Sequence, residues 1–145
     1  MTLLKWLPLA ALLVSPAAFA QVATCPGLPA SAEMSWEKLE GPDFTYCKAM
    51  RADDGEQAFA VMLRADAQFR TRRSHREGSQ VWIDGHQVYW YRGDVPNGIV
   101  RETLLELDRN STAHIVVRAS DDGELARSLQ IAERLQFDDM RLGSN

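Results

Sequence analysis

The dipeptide Asp84-Gly85, set inside "QVWIDGHQVYWYRGD", constrains this chain more than any other short stretch. A two-residue turn that matches the twist of its flanking strands needs positive φ at both central positions, and Asp-Gly tolerates that. The runs on either side are β-branched and aromatic, so the stretch is predicted to be a hairpin. That register puts Val81, Ile83, Val88 and Trp90 on one face and Trp82, Tyr89 and Tyr91 on the other. Both faces are then apolar or aromatic. A strand pair of this kind is either covered on both sides or turns one aromatic face toward a partner.

Period two recurs on either side of this hairpin. "DFTYCKAM" alternates Phe44, Tyr46, Lys48 and Met50 against Thr45, Cys47 and Ala49, and "QAFAVMLR" puts Phe59, Val61 and Leu63 on one face. The intervening "ADDGE" supplies turn chemistry, which predicts a second hairpin. "IVRETLLELD" and "AHIVVRAS", joined through "DRNST", predict a third, with Ile115 and Val117 toward the core and His114, Val116 and Arg118 opposite. Asn110-Ser111-Thr112 fits a glycosylation acceptor pattern but is more simply a turn.

The period then changes. In "DDGELARSLQIAERLQF", Asp121 is followed three residues later by Glu124 in the manner of a capping box. Leu125, Leu129, Ala132 and Leu135 fall on one stripe with Ile131 at its edge, while Arg127, Gln130 and Arg134 lie on the other side. An amphipathic helix like this needs a sheet to lie on. The expected fold is α+β: an antiparallel sheet of about six strands built from hairpins, with one C-terminal amphipathic helix packed on one face.

The N-terminus is set apart. "MTLLKWLPLAALLVSPAAFA" has a positive charge at Lys5, an apolar run from Leu7 to Val14 and small residues at Ala18 and Ala20, the layout of a cleavable signal peptide cut after Ala20. The run is well short of the roughly 20 residues a membrane-spanning helix needs. The division expected is a signal peptide at 1–20, an N-terminal arm at 21–42, a single domain at 43–137 and a flexible tail at 138–145. The arm is rich in breakers, with one short helical turn around Trp36. The expected location is periplasmic or secreted.

Cys25 and Cys47 both fall in the exported part, and an even count in an oxidising compartment points to a disulfide tying the arm to the first long strand. The rival reading makes Cys25 a lipidated N-terminus, because "VATC" faintly resembles a lipoprotein cleavage site.

Charge narrows the partners. The chain carries a formal net charge of -4, and loss of Lys5 with the signal leaves 15 basic and 20 acidic residues, or -5. Such a chain has no global attraction for nucleic acid or anionic lipid. Yet residues 64–78 hold Arg64, Arg70, Arg72, Arg73 and Arg76 against Asp66 and Glu77, a local +3 that leaves -8 for the rest. One reading is a solvated connection whose arginines pair with acidic strands nearby. The other is an anion-recognising loop, since the planar guanidinium fork suits carboxylate and phosphate. Nucleic acid is the weakest candidate, with only Phe69 to stack on a base.

No P-loop, GxSxG or GxGxxG motif occurs. Asp84, His86 and His114 lack the spacing of a metal site, and no cofactor is expected. The carboxylate pairs Asp53-Asp54 and Asp121-Asp122 sit where turn and cap chemistry accounts for them. Glu102 and Glu106 share a strand face, where Arg101 or Arg118 could pair with them. The expectation is therefore a non-catalytic exported protein that binds a protein or an anionic component of the cell envelope, inhibitor-like or assembly-factor-like. Its binding candidates are Arg70, Arg72, Arg73, Arg76, Trp82, Tyr89 and Tyr91. The competing class is a small enzyme or metal-binding protein using His86, His114 and nearby carboxylates. Nothing in the sequence specifies an oligomeric state.

Overall fold

The computed structural model describes residues 24–108 and 110–137; the expected signal peptide with its cut after Ala20, and the tail at 138–145, lie outside them. Seven strands run in chain order: β1 Met34–Glu40, β2 Phe44–Arg51, β3 Gln57–Arg64, β4 Arg76–Ile83, β5 His86–Arg92, β6 Ile99–Asp108 and β7 Ser111–Ala119. One α-helix, α1, follows over Asp122–Ala132. The strands form a single antiparallel sheet in the order β1-β2-β3-β7-β6-β5-β4. The α+β class stands, with one strand more than the hairpin count suggested.

The additional strand is β1, and it corrects the expected helical turn around Trp36. Met34–Glu40 pairs with β2 at the sheet edge, Trp36 opposite Ala49. A 3-10 turn does occur, but earlier, over Ala30–Ala32. The Trp36 end of β1 is held by its side chain as well. Its indole stands edge-on to Phe59 with ring centroids 5.8 Å apart, and its Nε1 donates to the Pro26 carbonyl at 2.7 Å. The arm is further held by a disulfide between Cys25 and Cys47, with Cα atoms 5.8 Å apart. An internal disulfide fits an oxidising compartment, and it commits the Cys25 sulfur that the lipidated reading required.

The hairpin turn behaves as its dipeptide demands: Asp84 and Gly85 have φ of 44° and 79°. Register follows from it, pairing Val81 with Val88 and Ile83 with His86. One sheet face carries the core, with Phe59, Val61, Ile83, Leu105, Ile115 and Val117 buried. Helix α1 lies on this face over β7 and β3 and buries Leu125, Ser128 and Ala132. Its N-terminus is capped by Asp121, whose Oδ1 accepts from the Glu124 amide at 2.8 Å. The reciprocal bond differs from a standard capping box, because the Glu124 carboxylate accepts from the amide and hydroxyl of Ser120 instead.

The helix stops at Ala132, so Leu135 reaches the core from the segment beyond it and not from the helical stripe. That segment is pinned at three points: the Gly27 amide donates to the Gln136 carbonyl at 2.7 Å, the Phe137 amide to Asp84 Oδ2 at 2.8 Å, and Trp90 Nε1 to Glu133 Oε1 at 2.8 Å. Leu135 and Phe137 are buried as a result.

The strand order has one consequence for the opposite face. β3 sits in the middle of the sheet and pairs with β7, while β4 lies at the far edge. The chain between them must cross β7, β6 and β5. The basic stretch is that crossing.

Candidate functional site

The crossing segment leaves β3 at Arg64, whose guanidinium is held by Asp43 at 3.2 Å and Asp66 at 3.7 Å. It descends onto the sheet at Phe69. The Phe69 ring stacks on the His114 imidazole of β7, centroids 4.6 Å apart and planes within 5°. It also meets Tyr91 of β5 edge-on, at 6.1 Å. A short 3-10 turn over Arg73–His75 then delivers the chain to β4. There His75 Nδ1 lies 3.1 Å from the Arg92 carbonyl oxygen. A carbonyl can only accept, so this nitrogen is the donor.

Between these anchors stand the arginines. Arg70, Arg72, Arg73 and Arg76 are all exposed. Among the described residues, none has a carboxylate within 4.0 Å, whereas Arg64, Arg92 and Arg101 do. Arg76 instead lies over the Tyr89 ring, 4.2 Å from its centroid, a cation–π contact. The segment is thus a solvent-facing connection, but one whose charge is not neutralised by the acidic strands beside it.

The three aromatic candidates divide. Trp82 is 63% exposed on the outermost strand, β4. Tyr89, on the same face and one diagonal step away in the register, is half-buried under Arg76. Tyr91 is only 8% exposed and lies beneath Phe69. Register had placed all three on one face, and it does. Trp82 and Tyr89 form the outer rim, while Tyr91 belongs to the floor under the crossing segment.

The floor also holds a titratable pair. His114 Nε2 is 3.2 Å from Glu102 Oε1, with 24% and 23% of the two side chains exposed. Burial pushes the His114 pKa below its ordinary 6.5, against the opposing attraction of Glu102. The imidazole is therefore neutral at pH 7 and donates from Nε2. Two cavities flank the Phe69–His114 stack. One, of about 200 Å³, is lined by Phe69, Arg70, Arg72, His75, Tyr91, Arg92, Gly93, Asp94 and Glu102. The other, of about 220 Å³, is more apolar, with Tyr46, Ala60, Met62 and Val116 among its walls.

The histidines considered for a metal are not brought together. His86 pairs with Ile83 on the helix side of the sheet, and His114 lies on the opposite side. Asp84 accepts from the Phe137 amide. Among the described residues, no three His, Cys, Asp or Glu side chains converge. Of the carboxylate pairs, Asp53 accepts from the Asp54 amide and Asp54 from the Glu56 amide, both within the β2–β3 turn. Glu102 bonds His114, and the neighbouring arginine, Arg101, reaches Glu77 instead.

Sequence reasoning did not find the Phe69–His114–Glu102 assembly. The available signals were a lone aromatic inside a polar run and a histidine facing away from a core strand, neither of which names its partner. No family model, curated protein or solved structure matches this chain.

Proposed function

We propose that this chain is a non-catalytic exported protein that binds an anionic macromolecule of the cell envelope, in the manner of an inhibitor or an assembly factor. The crossing segment between β3 and β4 is the binding element. One observation carries this reading: Arg70, Arg72, Arg73 and Arg76 stand exposed without a carboxylate within 4.0 Å among the described residues, in a chain whose net charge is -4. A cluster of like charges left unpaired on an acidic protein costs self-repulsion and is relieved when an oxyanion docks. Trp82, exposed at the adjacent edge, adds a rigid apolar contact of the kind that anchors interfaces.

The test is capture. The disulfide-bonded chain is immobilised beside a variant carrying Arg70→Ser, Arg72→Ser, Arg73→Ser and Arg76→Ser, and both are exposed to a solubilised envelope fraction. The reading expects material retained by the parent, lost by the variant, and released near 1 M salt, where the Debye length falls to about 3 Å. Equal retention by both proteins would refute it. A Trp82→Ala variant separates the aromatic contribution, with weakened retention at unchanged salt sensitivity expected.

A further inference from the structure

We infer that the cavity beneath the crossing segment is a site for a small zwitterionic group, one that carries an oxyanion and a primary ammonium on the same short skeleton. This rests on the anion-binding reading above and names the chemistry held there. The cavity is polarised. Its loop wall contributes Arg70 and Arg72, and its sheet wall contributes Glu102 and Arg92, the latter already paired with Glu77 at 3.3 Å, with Asp94 also in the lining. Neither loop arginine reaches either acid within 4.0 Å, so opposite charges share about 200 Å³ without closing on each other.

Glu102 is available to a ligand. Its Oε1 accepts a hydrogen bond from His114 Nε2, and Oε2 faces Gly93: a Cβ at that glycine would stand 3.3 Å from Oε2 and 2.6 Å from Val100 Cγ1. Glycine is thus required for the close approach of this backbone, and no side chain from residue 93 covers the free oxygen. Burial holds the His114 pKa below its ordinary 6.5, so the imidazole donates this bond as a neutral group.

A simple dianion would meet nearly balanced charge in this cavity: Arg92 is compensated from outside by Glu77 at 3.3 Å, which leaves two unpaired arginines against two carboxylates. A zwitterion aligned with the cavity's dipole satisfies both walls, its oxyanion on the guanidinium forks and its ammonium on Glu102. At about 30 Å³ per water-sized group, the space suits a ligand of roughly seven non-hydrogen atoms. Two sources share this chemistry: an α-amino acid, and an ethanolamine phosphate of the kind found on polar headgroups.

The probes are O-phosphoethanolamine and glycine, with inorganic phosphate and ethanolamine as half-ligands, titrated into the disulfide-bonded chain by calorimetry and by amide NMR. At least one zwitterion is expected to bind about tenfold tighter than either half-ligand and to shift the amides of Arg70, Arg72 and Gly93. Arg70→Ser with Arg72→Ser reduces zwitterion binding at least tenfold, and Arg127→Ser, exposed on α1 across the sheet from the cavity, leaves it unchanged. Asp94→Asn and Glu102→Gln each weaken the zwitterion without weakening inorganic phosphate; Asp94 is an exposed loop residue, so its variant keeps the test open should Glu102→Gln unfold. Tighter binding of phosphoethanolamine than glycine identifies the headgroup source, and the reverse the amino acid. If inorganic phosphate binds as tightly as both zwitterions, or if no probe shifts these amides while the arginine-dependent capture persists, the zwitterion site is overturned and the anion-binding reading stands. Absence of both capture and probe binding overturns the two together.

Discussion

Glu124 offers the sharpest quantitative check on this structure. Its carboxylate, 18% exposed, accepts from the Ser120 hydroxyl at 2.6 Å, the Ser120 amide at 2.8 Å and Arg51 Nη1 at 2.6 Å. Those three donors, the Ser120 hydroxyl foremost, hold its pKa at about 2 against an ordinary 4.5. At 1.36 kcal/mol per unit, the shift corresponds to about 3 kcal/mol. Solvent screening at the surface discounts this to about 1–2 kcal/mol. The folded-state pKa is depressed, so the contribution is complete above the unfolded value and lost as pH falls through the folded one.

Replacing Glu124 with Gln keeps an acceptor for Ser120 but removes the charge. Urea unfolding at pH 7 should show the variant about 1–2 kcal/mol less stable, with an unchanged m-value and a midpoint lowered by about 1 M. The difference should begin to shrink below about pH 4.5 and vanish near pH 2, where the parent carboxylate also takes up a proton. Asp54, the other acid on Arg51, also has its pKa lowered by that guanidinium, but it is present in both proteins and cancels from the difference. A stability gap that stays constant from pH 7 to about pH 2 would mean the carboxylate is not held by charge, and the reasoning fails.

Three further outcomes are expected. Cys25→Ser with Cys47→Ser opens a loop of sequence separation 22 and should lower stability by about 3 kcal/mol in urea; a loss under 1 kcal/mol would show that β1 and the arm hold without the cross-link. Asp84→Ala removes the acceptor for the Phe137 amide and leaves alanine at positive φ, so a loss of about 2–4 kcal/mol is expected in chemical unfolding; Asp84→Asn, which tolerates that backbone, should lose less than half as much, and equal losses would refute the assignment. His114 should titrate by NMR below its ordinary 6.5, so stability falls as pH drops under about 6.5 and the unfolded chain protonates first. Phe69→Ala uncovers the ring and should return its pKa toward the ordinary value; an unchanged titration would mean the stack does not shield it.

Much of this architecture was readable from the chain alone, because the forces responsible act within a few residues. Positive φ at Asp84-Gly85 sets one hairpin register, and with it the division of Trp82, Tyr89 and Tyr91 from Trp90 and Ile83. Alternation assigns Phe59, Val61, Ile115 and Val117 to the core. The spacing of Asp121 and Glu124 marks the helix start. β1 escaped because only Met34 and Trp36 of its seven residues are partly covered. An edge strand with a polar outer end alternates too weakly to stand out among neighbouring prolines and glycines.

The candidate site was legible only as a list of residue types. Four arginines in a ten-residue stretch are visible in any reading, but whether they are neutralised depends on which strands lie beneath them. That was decided by the pairing of β3 with β7, a long-range choice that no local period encodes. Once β3 is central and β4 peripheral, the connection has to cross the sheet, and Phe69, His114 and Glu102, separated by up to 45 positions, become one assembly. Turn geometry, strand faces and the helix cap belong to the sequence, since each follows from backbone sterics and side-chain spacing over a few residues. The exposed arginines, the buried Tyr91, the free Trp82 and the polarised cavity belong to the tertiary structure, since burial and charge pairing depend on neighbours that only the folded chain supplies.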